Sequence, residues 1–339
     1  MNERVYVQTN DAERNEVVAF DRAGDGRLTP LGGYETGGHG TGVPHLPSQG
    51  SVVLGDDGAW LLVANAGSDE LSLFGVEADG LRLAGRIASG GNGPTSVAER
   101  GGLVYALNNG GTPNISGFTI ADGGLVPLDG STRMLSGDAD PAQVAFSPDG
   151  RTLVVTERGT NSISTFTVDE RGYAEGPATI ASSGATPYGL DFANGSVVVT
   201  EAFGGEIRKA AASSYSLAEP GRLAPVSASV ADTRTEVCWA AATRDGRFVY
   251  VTNFGVGTIS SYEVGDGGGL ELHEPVAAST RLGEAGVRDE AISRDGRFLY
   301  AIDADAQRVF GWTVGADGRL EPIGEFEGVP ATVAGLAAS

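Results

Sequence analysis

A turn followed by a β-rich tetrapeptide with a polar last residue recurs along the chain, at 58–65, 102–108, 150–157, 195–201, 246–253 and 296–303. The turn glycines Gly58, Gly102, Gly150, Gly195, Gly246 and Gly296 are 44, 48, 45, 51 and 50 residues apart. That period suits the four-stranded unit of a β-propeller and is too long for a leucine-rich or ankyrin repeat. A second strand follows each unit, at 70–76, 115–120, 162–168, 213–217, 258–264 and 307–314. In each, apolar and polar residues alternate, as half-buried antiparallel strands require. A further outer strand follows a glycine turn at 80–87 and 318–326. Glycine, at 53 of 339 residues, supplies the tight turns such a fold needs.

The chain opens on three strands, 4–9, 16–20 and 28–34, without an innermost one. The segment Pro330-Ala331-Thr332-Val333-Ala334 resembles the inner-strand segments Pro94–Ala98 and Pro141–Ala145, and is expected to complete that blade. The expectation is therefore an all-β, seven-bladed propeller of four-stranded antiparallel blades, one domain over 1–339, its ring closed by N- and C-terminal strands sharing a blade. Seven segments start the count: Tyr6, Leu62, Tyr105, Val154, Val198, Tyr250 and Tyr300.

Acidic residues outnumber basic ones by 44 to 23, for a net charge of −21. Such a field repels nucleic acid and anionic membrane surfaces, so a small-molecule partner is expected, with neither nucleic acid nor membrane. The lone Cys238 excludes an internal disulfide and a multi-thiolate zinc site. No apolar run exceeds strand size, and no basic start is followed by an apolar leader, which places the protein in the cytoplasm as an expectation.

In a propeller, loops from all blades converge on one channel mouth, and function is sought there. The repeat puts Gln49, Ser96, Gln143, Tyr188 with Gly189, Trp239, Asp289 and Thr332 where inner strands begin. It puts Thr9 with Asn10, Asn65, Asn108, Glu157 with Arg158, Glu201, Asn253 and Asp303 where the following strands end. These make an expected ring of carboxylates and amides. Glu157 and Glu201, from neighbouring blades, are candidates for acid and base, since confined carboxylates can hold different pKa values. His45, with His39 in the glycine-rich segment before the first complete inner strand, is a second candidate base. Gln49, Asn65, Asn108, Gln143, Tyr188, Trp239, Asn253, Asp289 and Asp303 are candidate substrate contacts. Arg158 is a candidate clamp for a carboxylate or phosphate. The competing reading of the polar residues is turn capping. No cofactor is expected; a divalent cation held by channel oxygens is the alternative, without an EF-hand-type loop to support it.

The stretches Phe146-Ser-Pro-Asp-Gly-Arg-Thr-Leu-Val-Val-Thr-Glu157 and Thr243-Arg-Asp-Gly-Arg-Phe-Val-Tyr-Val-Thr-Asn253 resemble the lactonase-type seven-bladed propellers. That family includes propeller 6-phosphogluconolactonases and carboxy-cis,cis-muconate cyclases. Pro47-Ser-Gln-Gly-Ser51, Val63-Ala-Asn-Ala-Gly-Ser68 and Val237-Cys-Trp239 resemble a bacterial, 3-carboxymuconate cyclase-like branch. The resemblance covers essentially the whole chain. It implies a hydrolase or lactonising isomerase acting on a small oxygenated lactone or its open-chain acid. The family's Pro-Arg-His strand entrance reads Pro141-Ala142-Gln143 here, whereas its exit glutamate is matched by Glu157. The alternatives are a non-catalytic propeller that binds a metabolite or protein, and a cyclase or isomerase of secondary metabolism on the same scaffold.

Overall fold

The computed structural model describes residues 3–339, which form seven antiparallel sheets arranged as the blades of a propeller. Blade 1 runs from the inside out as Ala334–Ala338, Arg4–Gln8, Glu16–Arg22 and Leu28–Glu35, so the two chain ends share it. The inner strands of blades 2 to 7 are Val52–Leu54, Asn92–Arg100, Pro141–Phe146, Pro187–Ala193, Val237–Ala242 and Val287–Ile292, and each blade then winds outward in sequence order. Blade 3 adds a two-residue strand, Arg133–Met134, to its outer edge. The helical content among the described residues is two single turns, Phe203–Gly205 and Phe254–Val256. No helix there is long and apolar enough to cross a membrane.

The repeated turn has a local cause. In Ser147-Pro-Asp149-Gly150 the Asp149 carboxylate accepts from the Ser147 hydroxyl and the Arg151 amide, and Gly150 takes φ +73°. Thr243-Arg-Asp245-Gly246 and Ser293-Arg-Asp295-Gly296 repeat the device. Each is a short-range solution that turns an inner strand into its neighbour on what we call the lower face.

Side chains then seal blade to blade. Seven apolar clusters fill the spaces between sheets, for example Val144, Val155 and Phe166 of blade 4 against Tyr105, Leu107 and Ile115 of blade 3. Each such fully buried side chain contributes about 1.5–3 kcal/mol. Tyr105, Tyr250 and Tyr300 also reach into the next blade, donating to the carbonyls of Gly172, Gly318 and Gly26 at 2.7, 2.9 and 2.7 Å. These bonds fasten three blade boundaries on the lower face, where Gly26, Gly172 and Gly318 turn a third strand into the outermost one.

The closing strand lies further along the chain than the sequence indicates. Pro330 begins a turn, with the Val333 amide donating to its carbonyl, and the paired segment is Ala334–Ala338, opposite Val5–Gln8. Structurally Leu336, not Val333, corresponds to Val97, because Leu336 pairs Val7 as Val97 pairs Ala106. Gly335, at φ +75°, takes up the register shift, and a Cβ there would lie 2.2 Å from the Ser51 hydroxyl oxygen. A proline-led five-residue match is thus three residues out of step with the bulge that fixes the pairing.

Candidate functional site

That bulge builds the upper mouth of the channel. Register shifts interrupt the inner-strand pairing of blades 3 to 7 at the same place, between Pro94 and Ser96, Pro141 and Gln143, Pro187 and Leu190, Val237 and Ala240, and Val287 and Glu290. The residues set free of the ladder are Thr95, Ala142, Tyr188 with Gly189, Cys238 with Trp239, and Arg288 with Asp289. Bulges re-aim side chains. Here they gather Ala142, Tyr188, Cys238 and Trp239 into a buried apolar floor, with Phe254 against it.

Two guanidinium groups stand on that floor. Arg158 lies over the Tyr188 ring at 5.1 Å from its centroid and donates to Asp140 at 2.7 Å. Arg288 lies over Phe254 at 4.7 Å and is buried; among the described residues it makes no salt bridge and its Nε has no hydrogen-bond partner. Burial pulls the Arg288 pKa down, opposed by the fields of Asp305 and the Tyr188 hydroxyl. Tyr188 has a buried hydroxyl without a partner and, with burial pushing its pKa far up, it is a neutral donor. Trp239 meets Tyr188 edge-on at 5.5 Å and His45 at 5.8 Å. Burial, with Arg288 and Arg158 nearby, brings the His45 pKa down to about 3, so its imidazole is neutral at pH 7. Glu236, in the left-handed region at φ +58°, has its pKa raised by burial against the pull of Arg288. Burial likewise pushes the Cys238 thiol up, which leaves it un-ionised and a poor nucleophile.

Of the residues singled out in the sequence, His45, Arg158, Tyr188 and Trp239 meet here. Trp239 is a wall rather than an open platform, its indole Nε1 donating to the Ser48 carbonyl at 2.9 Å. Gln49, Gln143 and Asp289 tie inner strands to one another. Gln143 exchanges hydrogen bonds with the Leu190 backbone, and Asp289 accepts from the amides of Glu290 and Leu336. Gln49 crosses the channel to bond both backbone groups of Ala240 in blade 6 and closes the upper end.

The ring of strand-end residues faces into the blades. Asn65, Glu157 and Asn253 each bond the serine seven residues on: Ser72, Ser164 and Ser260. Asn108 bonds Asn114 and the Ser89 carbonyl. Glu157 also accepts from Thr160, and Glu201 accepts from Ser213, Ser229 and the Gly184 amide. Asp303 accepts from the Ala306 amide, with its other oxygen buried. Both oxygens of Glu157 and both of Glu201 are thus taken up by donors of their own blade, and no hydrogen bond joins the two as an acid–base pair. Each acts as a clasp on the turn between two strands.

Sequence reading missed Arg288, Glu236 and the channel acids Asp191 and Glu290. Arg288 carried a signal: Val287-Arg288-Asp289 occupies in blade 7 the bulge that Pro141-Ala142-Gln143 occupies in blade 4. Among the described residues no group of three His, Cys, Asp or Glu side chains is arranged to hold a metal ion.

A protein-family model described as lactonase, 7-bladed beta-propeller, matches residues 123–202 and 208–337, more than half of the chain. No curated protein matches it in sequence. Among solved structures, the periplasmic gluconolactonase PpgL of Pseudomonas aeruginosa superposes with a TM-score of 0.78 at 17% identity, covering 100% of this chain and 99% of that one. A protein of Bacteroides uniformis provisionally assigned as a 6-phosphogluconolactonase gives 0.74 at 19% identity, with 100% of both chains covered. A functionally unknown protein from Desulfotomaculum acetoxidans gives 0.75 at 15%, covering 100% of this chain and 99% of that one. At these identities the likeness is one of fold.

Proposed function

The chain belongs to the lactonase family of seven-bladed β-propellers, and from that premise we propose that it opens a small oxygenated lactone, or forms one from its open-chain acid, at the upper mouth. The observation that carries this reading is the pair of buried polar groups left unsatisfied there, the Arg288 Nε and the Tyr188 hydroxyl. Desolvating a cation and a phenol without partners is costly. Both costs fall away when an oxygen-rich anion or a polarised carbonyl enters between them.

In the hydrolytic direction, Arg158 and Arg288 hold the carbonyl oxygen and any carboxylate of the substrate. Charge that develops on that oxygen as water attacks is stabilised by donors already in place. The water oxygen bonds to the acyl carbon, the ring C–O bond breaks, and the departing alkoxide takes a proton from Tyr188 or from solvent. Glu236, its pKa raised, accepts the proton of the attacking water. His45, neutral and weakly basic, orients that water rather than deprotonating it. The products are a carboxylate, an alcohol and one released proton. A net charge of −21 repels dianionic phosphorylated lactones at long range, so unphosphorylated aldonolactones and muconolactones are the favoured class.

Proton release against a panel of aldonolactones, phosphogluconolactone and muconolactones tests this. The expected result is turnover of at least one lactone that falls by about tenfold or more in Tyr188→Phe. No turnover of any, with no ligand-induced rise in melting temperature, would overturn it; a melting rise without turnover would favour a binding protein.

A further inference from the structure

Below the Gln49 crossbar, the channel holds a cavity of about 410 Å³ that opens on the lower face beside Asp56, Glu99, Arg100 and Phe146. Its most unusual wall residue is Glu290. In the other six blades the same place in the register carries Val52, Val97, Val144, Leu190, Ala240 or Leu336. Only blade 7 places a carboxylate there. Glu290 is 3% exposed, and neither of its carboxylate oxygens has a hydrogen-bond partner among the described residues. Such a group is retained at a cost unless something else compensates it.

Besides Asp56 and Glu99 at the opening, two further carboxylates line the same cavity. Asp191 accepts from the Phe192 and Ala242 amides, and Asp289 from those of Glu290 and Leu336, and each leaves acceptor capacity over. The one cation in the lining is Arg100, at the rim and 3.6 Å from Asp56. Much of the remaining wall is apolar, as at Val97, Val144 and Ile292. The acids are not arranged to close around a single metal ion, whereas the volume is that of a small-molecule pocket.

We propose that this lower channel binds a small organic cation, a primary ammonium or guanidinium on a short apolar body, with its charged head against Glu290. The apolar body lies along the aliphatic wall, and the protein's negative field concentrates such cations at the opening. Burial raises the carboxyl of Asp191 to about 6 and that of Asp289 to about 8, and burial with the fields of Asp289 and Asp191 holds that of Glu290 well above the usual carboxylate range; Tyr250 of blade 6 also feels the Glu290 charge. A cation favours the ionised carboxylate, so uptake is coupled to proton release and tightens as pH rises through about 6 to 8.

The test is calorimetric titration of the full chain with n-butylammonium, n-butylguanidinium, calcium and n-butanol in buffers of different ionisation enthalpy. One of the organic cations binds, with a buffer-dependent heat, and butanol does not. Glu290→Gln weakens that binding by about tenfold or more. Glu290→Leu, which restores the residue type of the other blades and should fold even if the glutamine variant does not, abolishes it. Tighter binding of calcium, binding of no cation at all, or unchanged affinity in both variants would overturn the proposal. Because the readout is binding below the crossbar, its failure leaves the lactonase reading of the upper mouth standing, and the reverse.

Discussion

Arg288 offers the sharpest test of the upper mouth, because its fold and its function pull in opposite directions. It is a buried guanidinium that lies over the Phe254 ring and, among the described residues, has an unpaired Nε and no salt bridge. Replacing a buried, poorly compensated charge by an apolar side chain of similar length is typically neutral or stabilising by about 1–4 kcal/mol. Unfolding entropy of about 2.1 cal/mol/K per residue gives a chain of this length about 0.7 kcal/mol/K. A gain of about 2 kcal/mol therefore raises the melting temperature by about 3 °C. The same change removes a charge-assisted hydrogen bond to the substrate, a loss of about 1.5–3 kcal/mol, which lowers kcat/KM by about 10- to 150-fold. Arg288→Met is thus expected to melt higher and work worse, measured by scanning calorimetry alongside proton release on whichever lactone the wild type turns over. A variant that melts several degrees lower with kcat/KM unchanged would show that Arg288 is a structural cation, and the argument from unsatisfied polar groups would fail with it.

Glu157→Ala strips the acceptor from Ser164 and Thr160; it should cost about 2–3 kcal/mol in urea unfolding, with kcat of the folded fraction unchanged. Tyr300→Phe removes a buried bond to Gly26 across a blade boundary, and should cost about 1–2 kcal/mol without touching activity. The Ser147 and Thr243 hydroxyls, followed by backbone amides, hold Asp149 and Asp245 below the usual carboxylate range. Their stabilisation is present above pH 4 and is lost as pH falls through the depressed values, so melting temperature should drop in acid, and less so in Ser147→Ala. Raised carboxyls act in the opposite sense: the channel acids stabilise while protonated, and that contribution is lost as pH climbs from about 4 towards 8. Glu290→Leu should therefore flatten the decline in melting temperature between pH 5 and 8. With His45 held near pKa 3, the pH profile of kcat/KM should show no limb near 6.5.

What could be read from the sequence, and what could not, divides along the range of the interactions involved. The Asp-Gly turns were legible because every bond in Ser147-Pro-Asp149-Gly150 closes within five residues. Blade count followed from their spacing. The ring of polar strand ends looked like a site because polar residues at the end of apolar strands are conspicuous, yet the serine seven places beyond Asn65, Glu157 and Asn253 was already in view as their partner. The residues that do converge are joined by blade closure, which sets Arg158 of blade 4 near Arg288 of blade 7 across 130 residues of chain. Only a register brings out Arg288, since without the bulge it reads as one more surface arginine. Glu290 is recognisable by the same comparison, as a carboxylate where six blades carry an aliphatic residue. Between near-equivalent blades the departures are the informative positions: residues that agree with their repeat explain the ring, and those that break it, Arg288 at the upper mouth and Glu290 in the channel, are where a buried charge is left without compensation from its own blade.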